Sequence, residues 1–273
     1  MSDATVARAP LQRGAHDHIP EPQWLPSWRP EVRGAPKALL RSALFSCADK
    51  RKARRIFECE LVGSVAGQQI TYTGTELRQD DLTVWLHAVH LMRVQPLGQS
   101  VEVTPLHLLE GLGWCPNAEG YQHLRQSIER LSNAFLTLDR PNRERFSGKL
   151  LTCIAEASSG NRQRLKLSAD PELAELFTKG WVAHLDPEER RILSPLAQWL
   201  YGFYSTLDDP YPYKAVTLQA LCGSTAKNPG GFKRNLIEAL DQMKEKQLIV
   251  GYLADGPFVR PLLSLRPVVS AQD

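Results

Sequence analysis

The chain has 273 residues, 42% of them hydrophobic, enough for two packed cores of ordinary size or one large one. Its net charge of +3 and isoelectric point of about 8.6 permit a polyanion partner without demanding one. Five scattered cysteines with no C-x-x-C pair, no signal peptide and no apolar run of about 18 residues argue against a disulfide scaffold, a thiolate metal site and a membrane span; the expectation is a reduced, cytoplasmic protein.

In chain order, Pro10, Pro20, Pro22, Pro26 and Pro30 crowd the first 35 residues, which hold few aliphatics. This composition predicts a disordered or extended arm over 1–35. "KALLRSALF" reads as a short apolar helix opening a first domain, 36–169. The run "DKRKARR" then places Lys50, Arg51, Lys52, Arg54 and Arg55 together. "RIFECELVGSVAGQQITYTG" alternates and predicts two strands joined near Ala66 and Gly67. "DDLTVWLHAVHLMRVQP" is an amphipathic helix, with Asp80 or Asp81 to cap it, Pro96 to end it, and Leu82, Trp85, Leu86, Val89 and Met92 on one face.

A short strand, "VEVT", leads into "TPLHLLEGLG", a helix with Thr104 as N-cap and Pro105 in its first position. After a turn comes "GYQHLRQSIERL". Tyr121, Leu124, Ile128 and Leu131 form its apolar stripe, and Gln122, Gln126, Glu129 and Arg130 its polar side, with Arg125 on the flank. "AFLTLD", "GKLLTCIAEAS" and "RQRLKLS" are strand-like, with basic turns between them. The order helix, strand, helix, turn, helix, hairpin is that of a winged helix.

The second half, 170–273, repeats it with "SPLAQWLYGFYST", "TLQALCG", the turn "STAKNPGG", "FKRNLIEALDQMKEK" and a hairpin around Asp255-Gly256. At a shift of 112, Leu109 matches Leu221, Leu124 matches Leu236, Ile128 matches Leu240 and Leu131 matches Met243. The expected fold class is therefore α+β, two tandem winged helices with β-hairpin wings.

In a helix-turn-helix the third helix offers its first turns to base edges in the major groove. Gln pairs bidentately with adenine and Arg with guanine. The expected readers are Gln122, Arg125, Gln126 and Arg130 in the first unit, and Lys227, Lys233 and Arg234 in the second. Glu238, Asp241 and Glu245 would repel phosphates, so only the start of the second helix should enter a groove. Arg140, Arg143 and Arg145, between strands, are candidate phosphate contacts on a wing.

Nothing supports catalysis. His87 and His90 share a helix face but no carboxylate or thiolate joins them at ligand spacing. "HDH" at 16–18 lies in the Pro-rich arm, and "GSTAKNPGG" lacks the ending of a phosphate loop. No cofactor and no metal are expected. "ALLRSALF" has two readings, plain core or a linear motif that inserts Leu44 and Phe45 into a partner's pocket. By pattern alone a transcriptional repressor and a non-catalytic scaffold for replication proteins stay open beside any replication role.

The strings "LPSWRPEVRGAPKALLRSALF", "YTGTELRQDDLTVW", "QPLGQ", "PLAQWLYGFYST", "PYPYK" and "LCGS" together resemble the TrfA-type plasmid replication initiators, from about Trp24 to Gly223. The resemblance implies two winged-helix domains that bind iterons at a plasmid origin, opening of an adjacent AT-rich region, and contacts with the host's replicative helicase and sliding clamp. It also implies an inactive homodimer, and it puts the clamp contact on Leu44 and Phe45.

Overall fold

A computed structural model describes residues 21–49, 51–65, 67–141, 145–156, 163–178, 180–226 and 228–263. The architecture is mixed α+β. Its buried apolar residues form two groups, one running from Leu25 to Leu185 and one from Leu193 to Val259.

Part of the segment expected as a disordered or extended arm is packed on the core. Leu25 and Trp28 are buried; Trp28 stacks on Phe177 and donates its indole N–H to His90 Nδ1 at 3.1 Å. Residues 21–35 therefore cover the core, and 1–20 lie outside the described residues. Proline suits such a covering strand because it has no N–H to leave unpaired. Strand β1 (Arg33–Pro36) pairs antiparallel with Val182–Leu185.

"KALLRSALF" is helical only over α1 (Lys37–Leu40). The chain then turns inward to β2 (Phe45–Ser46), which pairs in parallel with β5 (Leu77–Arg78). Between these lie the two expected strands, β3 (Ile56–Val65) and β4 (Gln68–Thr75), with Gly67 at φ 77° in the turn, a left-handed value that favours glycine.

Helix α2 (Gln79–Met92) buries all five residues of its apolar face. Arg78, not an aspartate, occupies its N-cap, and Asp81 accepts the Arg78 backbone N–H at 2.9 Å. β6 (Val101–Val103) is followed by α3 (Pro105–Leu112), whose first turn is closed by Thr104 Oγ1 accepting from His107 N and whose end is Gly113 in the left-handed region. Then comes α4 (Ala118–Ser132).

The three strand-like runs become four strands in two sheets: β7 (Phe135–Asp139), β8 (Phe146–Lys149), β9 (Thr152–Glu156) and β10 (Arg164–Ser168). Buried Leu150 and Leu151 interrupt the middle run. One sheet has the order β3-β4-β7-β8 and the other β6-β10-β9.

A 3₁₀ segment, Pro171–Phe177, and β11 (Val182–Leu185) send Leu173, Leu176, Phe177 and Leu185 into the first core. The sequence division at 169/170 thus assigns to the second half a stretch whose apolar residues join the first. After α5 (Pro187–Arg191) the second core is built by α6 (Pro195–Tyr204), β12 (Tyr213–Lys214), α7 (Ala215–Leu221), α8 (Pro229–Glu245), β13 (Ile249–Asp255) and β14 (Phe258–Leu263). Its sheet order, β12-β14-β13, repeats that of β6-β10-β9 strand for strand.

Candidate nucleic-acid interface

Helix α4 starts where Asn117 Oδ1 accepts the Gly120 N–H at 2.8 Å. Leu124, Ile128 and Leu131 are buried and Tyr121 packs partly against the core, so Gln122, Arg125, Gln126 and Glu129 are left exposed. Gln122, Arg125 and Gln126 make no side-chain hydrogen bond or ion pair among the described residues. Those amides and that guanidinium are open to a ligand.

Arg130 is placed differently from its expected role. Its guanidinium turns inward, 13% exposed, and donates to Asp81 Oδ1 at 2.7 and 3.0 Å and to Ser127 Oγ at 3.0 Å. Asp81 is 0% exposed and also accepts from Arg54 at 2.6 Å. Arg54 in turn reaches Asp80 at 2.9 Å, and His123 Nε2 meets Asp80 at 2.8 Å while its ring stacks on Trp114. Burial works against ionisation of Asp80, but His123 and Arg54 outweigh it and hold the carboxyl well below the usual range. Burial and the adjacent Asp80 charge push Asp81 the other way, against the pull of Arg130 and Arg54. The cluster bolts α4 to the start of α2 and removes Arg54 from the basic surface. The sequence signal was the acidic pair Asp80-Asp81, more charge than one helix start needs.

In the second unit Asn228 Oδ1 accepts the Gly230 N–H at 2.9 Å, and Arg234 and Asn235 lie exposed in the early turns of α8. Lys233 Nζ donates to Gly256 O at 2.6 Å, which ties the helix start to the hairpin turn. Lys227 lies outside the described residues. Further along, Glu238, Asp241 and Glu245 are exposed as expected, with Asp241 accepting from Tyr252 Oη at 2.7 Å.

The basic turn at 140–145 is not the hairpin beside α4. It joins β7 to β8 in the four-stranded sheet, whereas the hairpin of the α4 unit is β9–β10. Arg140 donates to Glu175 O at 2.7 Å and is nearly buried against it, and Arg145 pairs with Asp139 at 3.1 Å. Arg143 lies outside the described residues. Arg140 is thus a structural contact, corrected from a phosphate contact.

Leu44 and Phe45 are corrected as well. They are 2% and 1% exposed, and the Phe45 ring stacks on Trp85 with centroids 6.0 Å apart. A side chain locked in a core cannot enter another protein's pocket while the core stands, so the plain-core reading is the one realised.

The described residues contain no group of three or more metal-ligating side chains and no helix long and apolar enough to cross a membrane. His87 and His90 are buried side chains of the first core.

Fold and surface together define an α+β chain with two like-ordered units, each exposing the start of its longer helix. The chain belongs to the TrfA protein family, whose model matches residues 22–258. It is 28% identical over 227 residues to the plasmid replication initiator protein TrfA of Escherichia coli, covering 81% of this chain and 59% of that protein. The chain thus spans 59% of the length of that relative. Among solved structures, domains 2 and 3 of RctB superpose with a TM-score of 0.58 at 16% identity, over 84% of this chain and 98% of that one. A second structure of RctB domains 2–3 gives 0.50 at 13% identity, over 80% and 95%. At these identities the likeness is one of fold.

Proposed function

We propose that the chain is a non-catalytic plasmid replication initiator whose two halves are winged helices that bind iteron repeats at an origin. Gln122, Arg125 and Gln126 read one major groove and Arg234 the next, roughly 34 Å along one face of the duplex. Binding opens the adjacent AT-rich region and brings the host's helicase and sliding clamp to it; the clamp contact uses some surface other than Leu44 and Phe45. The observation that carries this reading is the repeat of one element order and one strand order in two units. Gln122, Arg125 and Gln126 are exposed and uncommitted in the first unit, and Arg234 and Asn235 in the second.

The test is a titration of the purified chain against its own plasmid's origin repeats and a scrambled duplex, at two salt concentrations. Tighter binding to the repeats, with protection over about two helical turns, supports both reading heads. Equal, salt-sensitive binding to both duplexes would overturn sequence reading. Binding that represses a promoter but leaves the origin closed would favour a repressor.

A further inference from the structure

The basic run reads in sequence as a property of the first half. In the structure the segment before it packs on the second, and Lys52 reaches across. Cys47 N donates to Cys222 O at 2.9 Å. Gly223 packs so closely on Ser46 and Ala43 that a Cβ there would come within 2.9 and 3.2 Å of their Cβ atoms. Lys52 Nζ then donates to Thr225 Oγ1 at 3.0 Å. Residue 225 belongs to the turn between α7 and α8, the second unit's helix-turn-helix corner.

The loop's cations divide by role. Arg54 is spent on Asp80 and Asp81, and Arg55 lies over the Phe57 ring and pairs with Glu60. Arg51 is 85% exposed and is held, among the described residues, by Asp49, and Lys52 is exposed with a hydroxyl as partner. The pair is bidentate but open to solvent, where screening weakens it, so Arg51 can exchange to a phosphate. Arg51 and Lys52 are therefore solvent-exposed charges with exchangeable partners. Lys52 stands beside the turn that leads into α8, and Arg51 is its neighbour in the chain. Among the described residues, the start of α8 itself offers Arg234, while Lys233 is turned to Gly256 O.

We infer that Arg51 and Lys52, supplied by the first half, form a phosphate-binding site for the second head, so that the α8 groove contact is built from both halves of the chain. This rests on the DNA-binding reading above. Phosphate contacts position a reading helix without carrying sequence information.

The test uses the full chain with Arg51→Gln and Lys52→Gln, singly and together, titrated on the origin repeats across a salt series. Each lost phosphate contact should lower the slope of log affinity against log salt by about 0.9, so the double variant should lose about 1.8. The loss should be equal on repeat and scrambled duplexes. Backbone protection should fade only in the half of the site that Arg234→Ala also weakens. An unchanged slope, or protection lost in the α4 half, would overturn the inference even with specific binding intact. A wild-type chain that does not prefer the repeats would sink the functional reading instead, and the slope would still report on the two cations.

Discussion

The burial of Phe45 makes a sharp prediction, because the family resemblance gives that residue a surface role. Phe45→Ala removes a fully buried ring that stacks on Trp85, and it leaves a cavity between β2 and α2. The backbone stays anchored, since Gln79 Nε2 donates to Phe45 O. The site therefore has little freedom to collapse, and the cost should be about 3–5 kcal/mol. Against a typical total of about 5–15 kcal/mol, this is a large fraction. With a urea slope near 3 kcal/mol/M, the unfolding midpoint should drop by about 1 M or more. Tryptophan fluorescence is a direct assay because the ring removed touches Trp85. Phe45→Leu keeps most of the apolar volume and should cost less than about 1.5 kcal/mol. A Phe45→Ala chain that unfolds within about 0.5 kcal/mol of wild type, the range of ordinary surface substitutions, would refute the core assignment.

Arg125→Ala should leave stability unchanged yet weaken repeat binding by about 1–3 kcal/mol, the worth of one bidentate base contact, in a mobility-shift titration. Arg130→Ala should do the reverse in the first instance, costing on the order of 3 kcal/mol of stability by leaving the buried Asp81 with only Arg54 as ion-pair partner. Burial lowers His87 from its ordinary 6.5 to about 4 and His90 to about 3, so both are neutral in the fold and the unfolded chain takes up protons first. Stability should be full above about pH 6.5 and fall between pH 6.5 and 4, by on the order of 2–3 kcal/mol for His87 alone. Urea midpoints of His87→Leu should show a shallower fall across that window. Gly111 is exposed in α3, where Gly→Ala ordinarily stabilises by about 1 kcal/mol. A Cβ there would come within 2.3 Å of the buried His87 ring, so Gly111→Ala should instead destabilise by about 1–3 kcal/mol in thermal melts.

Periodicity carried most of the fold. The stripes of α2, α4 and α8 were legible because 3.6-residue spacing registers burial directly, and the shift-112 pairs all fall on buried or half-buried positions. Long-range pairing was not legible. "AFLTLD" and "GKLLTCIAEAS" look like neighbours in one wing, yet the middle run splits at Leu150-Leu151 and sends its halves to different sheets. Alternation shows that a segment is a strand, not which edge it joins. Which cations stay free was not legible either. Arg130, Arg140 and Arg54 are cations whose partners, Asp81, Glu175 and Asp80, lie 49, 35 and 26 residues away. Sequence shows a charge but not its distant countercharge, so the readers predicted from residue type divide into free and committed ones only in three dimensions.

The segment 41–52 shows why the same short motif can invite two opposite readings. Its apolar residues close the first core, while its polar atoms face the second. Arg41 donates to Thr206 Oγ1 at 2.7 Å, and Ser42 O accepts the Trp199 indole N–H at 3.1 Å. From α5, Arg190 reaches back to Gln79 and Thr83 of α2. These are buried or half-buried bonds, and breaking one without a substitute strands a polar group at about 1–3 kcal/mol each. Rotation of the second unit against the first would break several together. The apolar run "ALLRSALF" is therefore conspicuous because it must satisfy two cores at once. By that packing it holds the two units together, and it places Lys52 against Thr225 of the second.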